Sequence, residues 1–279
     1  MYRIDFNKEL SKNEESIRIN KELRELYEKW ISSTFSKGIL EFSDKWTFPT
    51  LLKCTDEYLE KRIMLFGRES NERGDRESLV DILEKYDDDY FFYKYMCEIV
   101  GVSNKKCQNT PFLKIRKKLS CIEEDFENLN YEEKVINLKT LSGVLVNNVN
   151  KTSLDGKKTC FEIVEQLYKK FEFNGKVKSI FQHEIDILQP KMIIFACGVE
   201  CVKIMKTLIN PEAKTWCIDN QPKLIGGDMV IDITKCFNKS NKYKCKKVIW
   251  AIHPSAHFKN DTEYCFENYQ EAIGAHINS

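Results

Sequence analysis

The sequence predicts an α/β fold: a central four-stranded parallel sheet with helices on both faces, a three-layer α/β/α sandwich. Three observations lead there. Four runs, at 62–66 (RIMLF), 143–149 (GVLVNNV), 192–197 (MIIFAC) and 247–252 (KVIWAI), are rich in β-branched and aromatic residues and end in polar or glycine-containing turns. They are apolar on both faces, as strands buried in a parallel sheet must be. Amphipathic helical patterns separate them, and alternation of strand and helix is the signature of this class.

Taken in order, residues 1–60 read as a charged helical extension packed on the main domain. Within 8–30, Leu10, Ile17, Leu23, Leu26 and Trp30 recur among charges at amphipathic spacing. No proline- or glycine-rich linker separates this part from residues 61–279, which form the α/β domain. The first strand follows. Helical patterns at 76–86 and 90–100 then make a helical insertion at about 72–110, and another helix is predicted at 112–121. Beyond the second strand, helices are predicted at 159–171 and 177–188, and beyond the third at 199–209. The short run 229–233 reads as an extra strand or a packed loop, and the fourth strand closes the pattern.

The chain has 279 residues, 42% hydrophobic and 31% charged, enough for a packed core and too apolar for a disordered chain. The 44 Lys and Arg balance 43 Asp and Glu, so no global field singles out nucleic acid or a basic partner. The local basic runs are 114–118 and the lysine-rich 238–247, where Tyr243 is interleaved. No apolar stretch approaches the ~18 residues of a membrane span, and the first residues do not read as a signal peptide. The 11 cysteines are therefore expected to be reduced, cytoplasmic and mostly small core hydrophobes. With no CxxC, a structural zinc or iron–sulfur site is not expected. GxGxxG, P-loop, GxSxG and HExxH patterns are absent.

In α/β folds ligands bind outside the carboxyl ends of the strands. The residues there are Gly67, Arg68, Glu69, Ser70 and Asn71; Asn148, Asn150 and Lys151; Gly198; and His253, Pro254, Ser255 and His257. Glu69 suits a general base or the holder of a water, or else a loop carboxylate paired with Arg68 or Arg73. Asn148 offers one acceptor and two donors, suited to reading a base edge or to capping a turn. His253, held extended by Pro254, can donate to a developing oxyanion or bond a backbone carbonyl. Ser255 can meet a phosphate. His183 is assigned no functional role.

Together these segments resemble the uracil-DNA glycosylase superfamily, in order, from about residue 62 to 257, or about two-thirds of the chain. IMLFGRESN resembles the family's first motif. TPF at 110–112 is similar to a Pro-Phe segment whose ring stacks on the flipped base. GVLVNNVNK resembles the strand carrying the base-reading Asn, FQHEIDILQPKMIIFACG the helix–Pro-Lys–strand–Gly element, and VIWAIHPSAHF the second motif.

The resemblance implies a monofunctional, hydrolytic DNA glycosylase that flips out a pyrimidine and leaves an abasic site. Glu69 and His253 are then catalytic: Glu69 positions or activates water, and His253 stabilises charge on the pyrimidine O2. Phe112 stacks on the base, Asn148 reads its Watson–Crick edge, and Gly67, Arg68 and Asn71 complete the base pocket. Lys151, Ser255, His257 and Phe258 contact DNA, with His257 or Phe258 as the wedge. Where the family usually has Pro and then Tyr or Gly, this chain has Ser70 and Asn71. A smaller, polar Asn71 admits a 5-modified pyrimidine such as a glucosylated hydroxymethylcytosine, as well as uracil. Some bacterial relatives act on such bases in antiphage defence; base-excision repair is the other setting. Cys97, Cys107 and Cys121 are mis-spaced for the cluster of the iron–sulfur branch, so no cofactor is expected. The implied partner is DNA and the implied state a monomer. The alternative is a non-catalytic nucleic-acid- or protein-binding module on the same fold, and a weaker one a nucleoside or nucleotide hydrolase.

Overall fold

The computed structural model describes residues 10–35, 51–69, 111–122, 131–151, 166–198, 205, 230–240, 243–252, 271 and 274. The expected helices at 76–86 and 90–100, nearly all of 199–209 and most of 159–171 lie outside these residues.

Helix α1 (Glu14–Phe35) begins where Asp56 accepts hydrogen bonds from the Lys12 and Asn13 amides and from the Ser16 hydroxyl. Its buried stripe is Ile19, Leu23, Leu26, Tyr27, Trp30 and Ile31, the i, i+4, i+7 spacing of one helix face. Ile17, expected on that face, is 53% exposed, and Ile19 and Tyr27 complete the stripe instead. The stripe belongs to the same core cluster as the sheet, so α1 is part of the domain's interior. Helix α2 (Asp56–Lys61) is capped by Thr55, whose hydroxyl accepts from the Tyr58 amide. It ends at Arg62, whose left-handed φ of 54° turns the chain into strand β1 (Ile63–Glu69). Helices α3 (Pro111–Leu119) and α4 (Tyr131–Ser142) precede β2 (Val144–Asn150); α4 was not legible as a helix in the sequence.

The segment after residue 166 departs from expectation. Residues 171 and 177–178, expected as helix, belong to a hairpin of β3 (Phe171–Phe173) and β4 (Lys176–Lys178). Asn174 and Gly175, at φ 50° and 71°, form the tight turn that Asn-Gly favours. Helix α5 (Ile180–Leu188) starts only after a capping box of Ser179 and Gln182, and stops at Gln189 before Pro190.

All four expected strands form: β1, β2, β5 (Met192–Ala196) and β7 (Lys247–Ala251) are parallel neighbours in the order β2-β1-β5-β7. The sheet nevertheless has five strands. The run at 229–233 supplies β6 (Val230–Asp232), which pairs antiparallel with β7 and makes the sheet mixed. On one sheet face Phe66 and Phe195 lie 4.9 Å apart and Phe66 meets Phe181 of α5 at 6.2 Å. This aromatic layer is fully buried with Trp250, in register beside Phe195.

After β6, helix α6 (Thr234–Ser240) is capped by Asp232, whose Oδ1 accepts from the Thr234 amide at 2.9 Å and hydroxyl at 2.6 Å. Asp232 Oδ2 also pairs with Lys247 Nζ at 2.9 Å. Partial burial pushes this carboxyl up, but the bonds from Thr234 and the Lys247 pair outweigh it and bring it from 3.8 to about 2. A lowered folded-state value stabilises the fold above the unfolded value and is lost as pH falls through the folded one. The Tm difference between wild type and Asp232→Asn, measured by calorimetry, should therefore be full above about pH 4 and close as pH falls toward about 2.

Candidate functional site

β1 leads to β2 on one side, whereas β5, on its other side, leads to β7 further out. Connections that diverge from adjacent parallel strands leave a crevice at their carboxyl ends, the usual ligand position in such sheets. In this chain the switch point falls between β1 and β5. In parallel register Asn148 pairs with Gly67 and Ala196 with Ala251, which carries Gly67 beside Ala196. Across the four parallel strands this row, on the face opposite the aromatic layer, reads Asn148, Gly67, Ala196, Ala251, and Val230 of β6 lies beside Ala251. Among the four parallel strands no side chain in it besides that of Asn148 is longer than a methyl group. Asn148 is 3% exposed, and a carboxamide so far from water discriminates strongly between matched and mismatched hydrogen-bond partners. At the end of β1 the backbone of Glu69 pairs with Asn150. Gly198, at φ 78°, turns the chain as it leaves β5.

Beneath this row, on the other face, lies a buried polar cluster. Lys151 Nζ meets Glu184 Oε1 at 2.7 Å and Asn147 Oδ1 at 2.8 Å, and neither charged side chain is exposed. Asn147 Nδ2 donates to Glu184 Oε2 at 2.9 Å, and the Tyr27 hydroxyl donates to Glu184 Oε1 at 2.8 Å while accepting from the Leu52 amide. Asn147 Oδ1 also accepts from the Asn148 amide at 2.9 Å, and the Lys151 amide donates to the Tyr168 hydroxyl. The Phe181 ring lies 5.3 Å from the ammonium. Burial pushes the Lys151 amine below its ordinary value, and the Glu184 carboxylate pulls it back.

This placement corrects the expectation that Lys151 contacts DNA. Its ammonium is inside the molecule, where the desolvation cost of a cation requires a close carboxylate. The basic runs are redistributed as well. Residues 243–247 enter β7 at its amino end, and the Lys246 amide bonds the Lys191 carbonyl there. Residues 243–247 thus lie roughly 15 Å, one strand length, from the carboxyl-end rim. Tyr243 packs against the core, and Arg116 of the 114–118 run is buried, its Nε bonded to the Leu141 carbonyl.

Of the other expected site residues, Gly67 is buried at the rim, Arg68 and Glu69 lie in β1, and Phe112 lies in the first turn of α3. Asn71, His253, Ser255, His257 and Phe258 lie outside the described residues, although β7 ends immediately before Ile252 and His253. His183 is buried between the Phe171 and Phe173 rings with Nε2 at 3.3 Å from the Phe171 carbonyl oxygen. Burial pushes its imidazole below the usual value, a structural role. Cys54 and Cys245 are buried thiols whose burial pushes them up to about 12, far from a reactive thiolate.

Sequence reasoning missed Asn147, Glu184 and Tyr27. One signal was present: Glu184 stands three or four residues from Ile180, Phe181, Ile187 and Leu188, inside the apolar face of its helix, and a charge so placed needs a buried partner. Among the described residues no helix is long and apolar enough to cross a membrane. Comparison of the chain with protein-family models, curated proteins and solved structures finds no match.

Proposed function

We propose that this chain is a uracil-DNA glycosylase-like enzyme: a monofunctional hydrolase that extrudes a pyrimidine from DNA and cleaves its N-glycosidic bond. The observation that carries the reading is Asn148. It sits nearly buried at the carboxyl end of β2, beside Gly67 and the sheet's switch point, where a carboxamide can read the edge of a flat ring. The order of the motifs supports it further, since the strands that carry or precede GRESN, NNVNK, CG and HPSAHF in the sequence are parallel neighbours whose carboxyl ends lie at one edge of the sheet. In this reading Glu69 orients the attacking water and His253 donates to the pyrimidine O2 as the glycosidic bond breaks. Phe112 stacks on the base, and Asn71 with Arg68 shapes the pocket around C5. Ser255, His257 and Phe258 hold the strand and fill the vacated stack.

Oligonucleotides carrying uracil, 5-hydroxymethyluracil or glucosylated hydroxymethylcytosine, assayed for abasic sites on a gel, test the proposal. Product from at least one is expected. Folded protein inert on all of them rules the reading out, and salt-dependent DNA binding without product selects a binding module instead. Asn148→Ala should reduce excision at least ~100-fold, because a pocket built to hydrogen-bond its substrate loses that much when the bond goes. Its Tm should fall by only about 2–4 °C, the equivalent of one hydrogen bond in a domain this large. A larger loss of Tm with excision retained identifies Asn148 as a structural residue.

A further inference from the structure

We propose that the Lys151–Glu184 pair is a positioning device: acting through the Asn147 carboxamide, it fixes the backbone of Asn148 at the rim of the site. The catalytic consequence rests on the glycosylase reading above; the structural one stands on its own.

A fully buried ion pair is weak evidence of stability, because the desolvation of both ions offsets their attraction. Its geometry points to another role. A carboxamide can sit in either of two orientations of nearly equal shape. At Asn147 the pair removes that ambiguity. Lys151 Nζ lies 2.8 Å from Oδ1, and Glu184 Oε2 lies 2.9 Å from Nδ2. Turned over, the group would set its NH2 against an ammonium and its oxygen against a carboxylate. Oδ1 is thereby held toward the Asn148 amide, which donates to it at 2.9 Å. The turn beyond is pinned by the Tyr168 hydroxyl, which accepts from the Lys151 amide. Glu184 is itself anchored from α1 by Tyr27, whose hydroxyl also holds the Leu52 amide. Tyr27 of α1, Glu184 of α5 and Lys151 thus act through the Asn147 carboxamide on one backbone N–H at the rim, and Asn148 is the residue they hold.

Amide hydrogen exchange on the full chain tests this. In wild type the Asn148 amide, donating to Asn147 Oδ1, should be protected; exchange at the rate of an unprotected amide overturns the proposal before any variant is made. Lys151→Met combined with Glu184→Gln removes both charges at nearly constant volume and strands no buried ion. In that variant Asn148 exchange should accelerate ~10-fold or more relative to Leu65 and Ile194, as a local opening does. Equal acceleration everywhere, or none at Asn148, overturns the proposal in favour of a purely structural pair. On the excised oligonucleotide, kcat should fall ~100-fold with KM little changed, the mark of misplaced but still bound substrate. Selective exchange with unaltered kcat overturns the catalytic part. Selective exchange in a protein that excises nothing even as wild type supports the positioning role and removes the glycosylase reading.

Discussion

Lys151→Met alone is expected to destabilise the protein by about 3–5 kcal/mol in urea unfolding, because it leaves the Glu184 carboxylate buried without its cation. Glu184 is 0% exposed, so no solvent can take over the ammonium's role. The Tyr27 hydroxyl and Asn147 Nδ2 still donate to it, but neutral donors stabilise a buried anion less than a charged one. Adding Glu184→Gln removes the stranded charge and should recover most of the loss, a coupling of at least ~2 kcal/mol in the double-mutant cycle. A single variant within about 1 kcal/mol of wild type would mean that water reaches the pair. The contrast matters for function as well, since the single variant reads stability and the double variant reads the geometry of the rim.

Trp30→Ala should cost about 3–5 kcal/mol, the range for removing a large aromatic side chain from a packed core. Trp30 is fully buried, stacks on Tyr168 at 6.0 Å and 21°, and donates from Nε1 to the Leu167 carbonyl at 3.0 Å. Trp30→Phe retains most of the ring contact and loses the donor, leaving the Leu167 carbonyl to be satisfied elsewhere, for about 1 kcal/mol. Because α1 shares one cluster with the sheet, the loss should appear in a single transition by circular dichroism and by fluorescence. An early, separate melting of α1 with the sheet intact would identify the first helix as an appended unit rather than a layer of the core.

The sequence by itself determined the class of fold and its four principal strands. RIMLF, GVLVNNV, MIIFAC and KVIWAI are apolar on both faces, and only a sheet covered on both sides buries such runs. It also marked which residues leave those strands, so Gly67, Asn148 and Gly198 could be named before their neighbours were known. Local chemistry misled where periodicity had two solutions. Val177 and Lys178 continue the amphipathic pattern of α5, yet Asn174-Gly175 folds them back into a hairpin, and the helix waits for the Ser179 cap.

The pairing of distant segments was decided only by the tertiary structure. Sheet order sets the switch point, and nothing local in β1 or β5 states which strand lies beside it. The fate of Lys151 was invisible for the same reason: a lysine after NNVN reads as a solvated or phosphate-facing cation until Glu184, far along the chain, is brought to 2.7 Å. Hydrophobic pattern is written residue by residue and survives in one dimension. A buried charge is settled by its partner, and the partner exists only once the chain has folded.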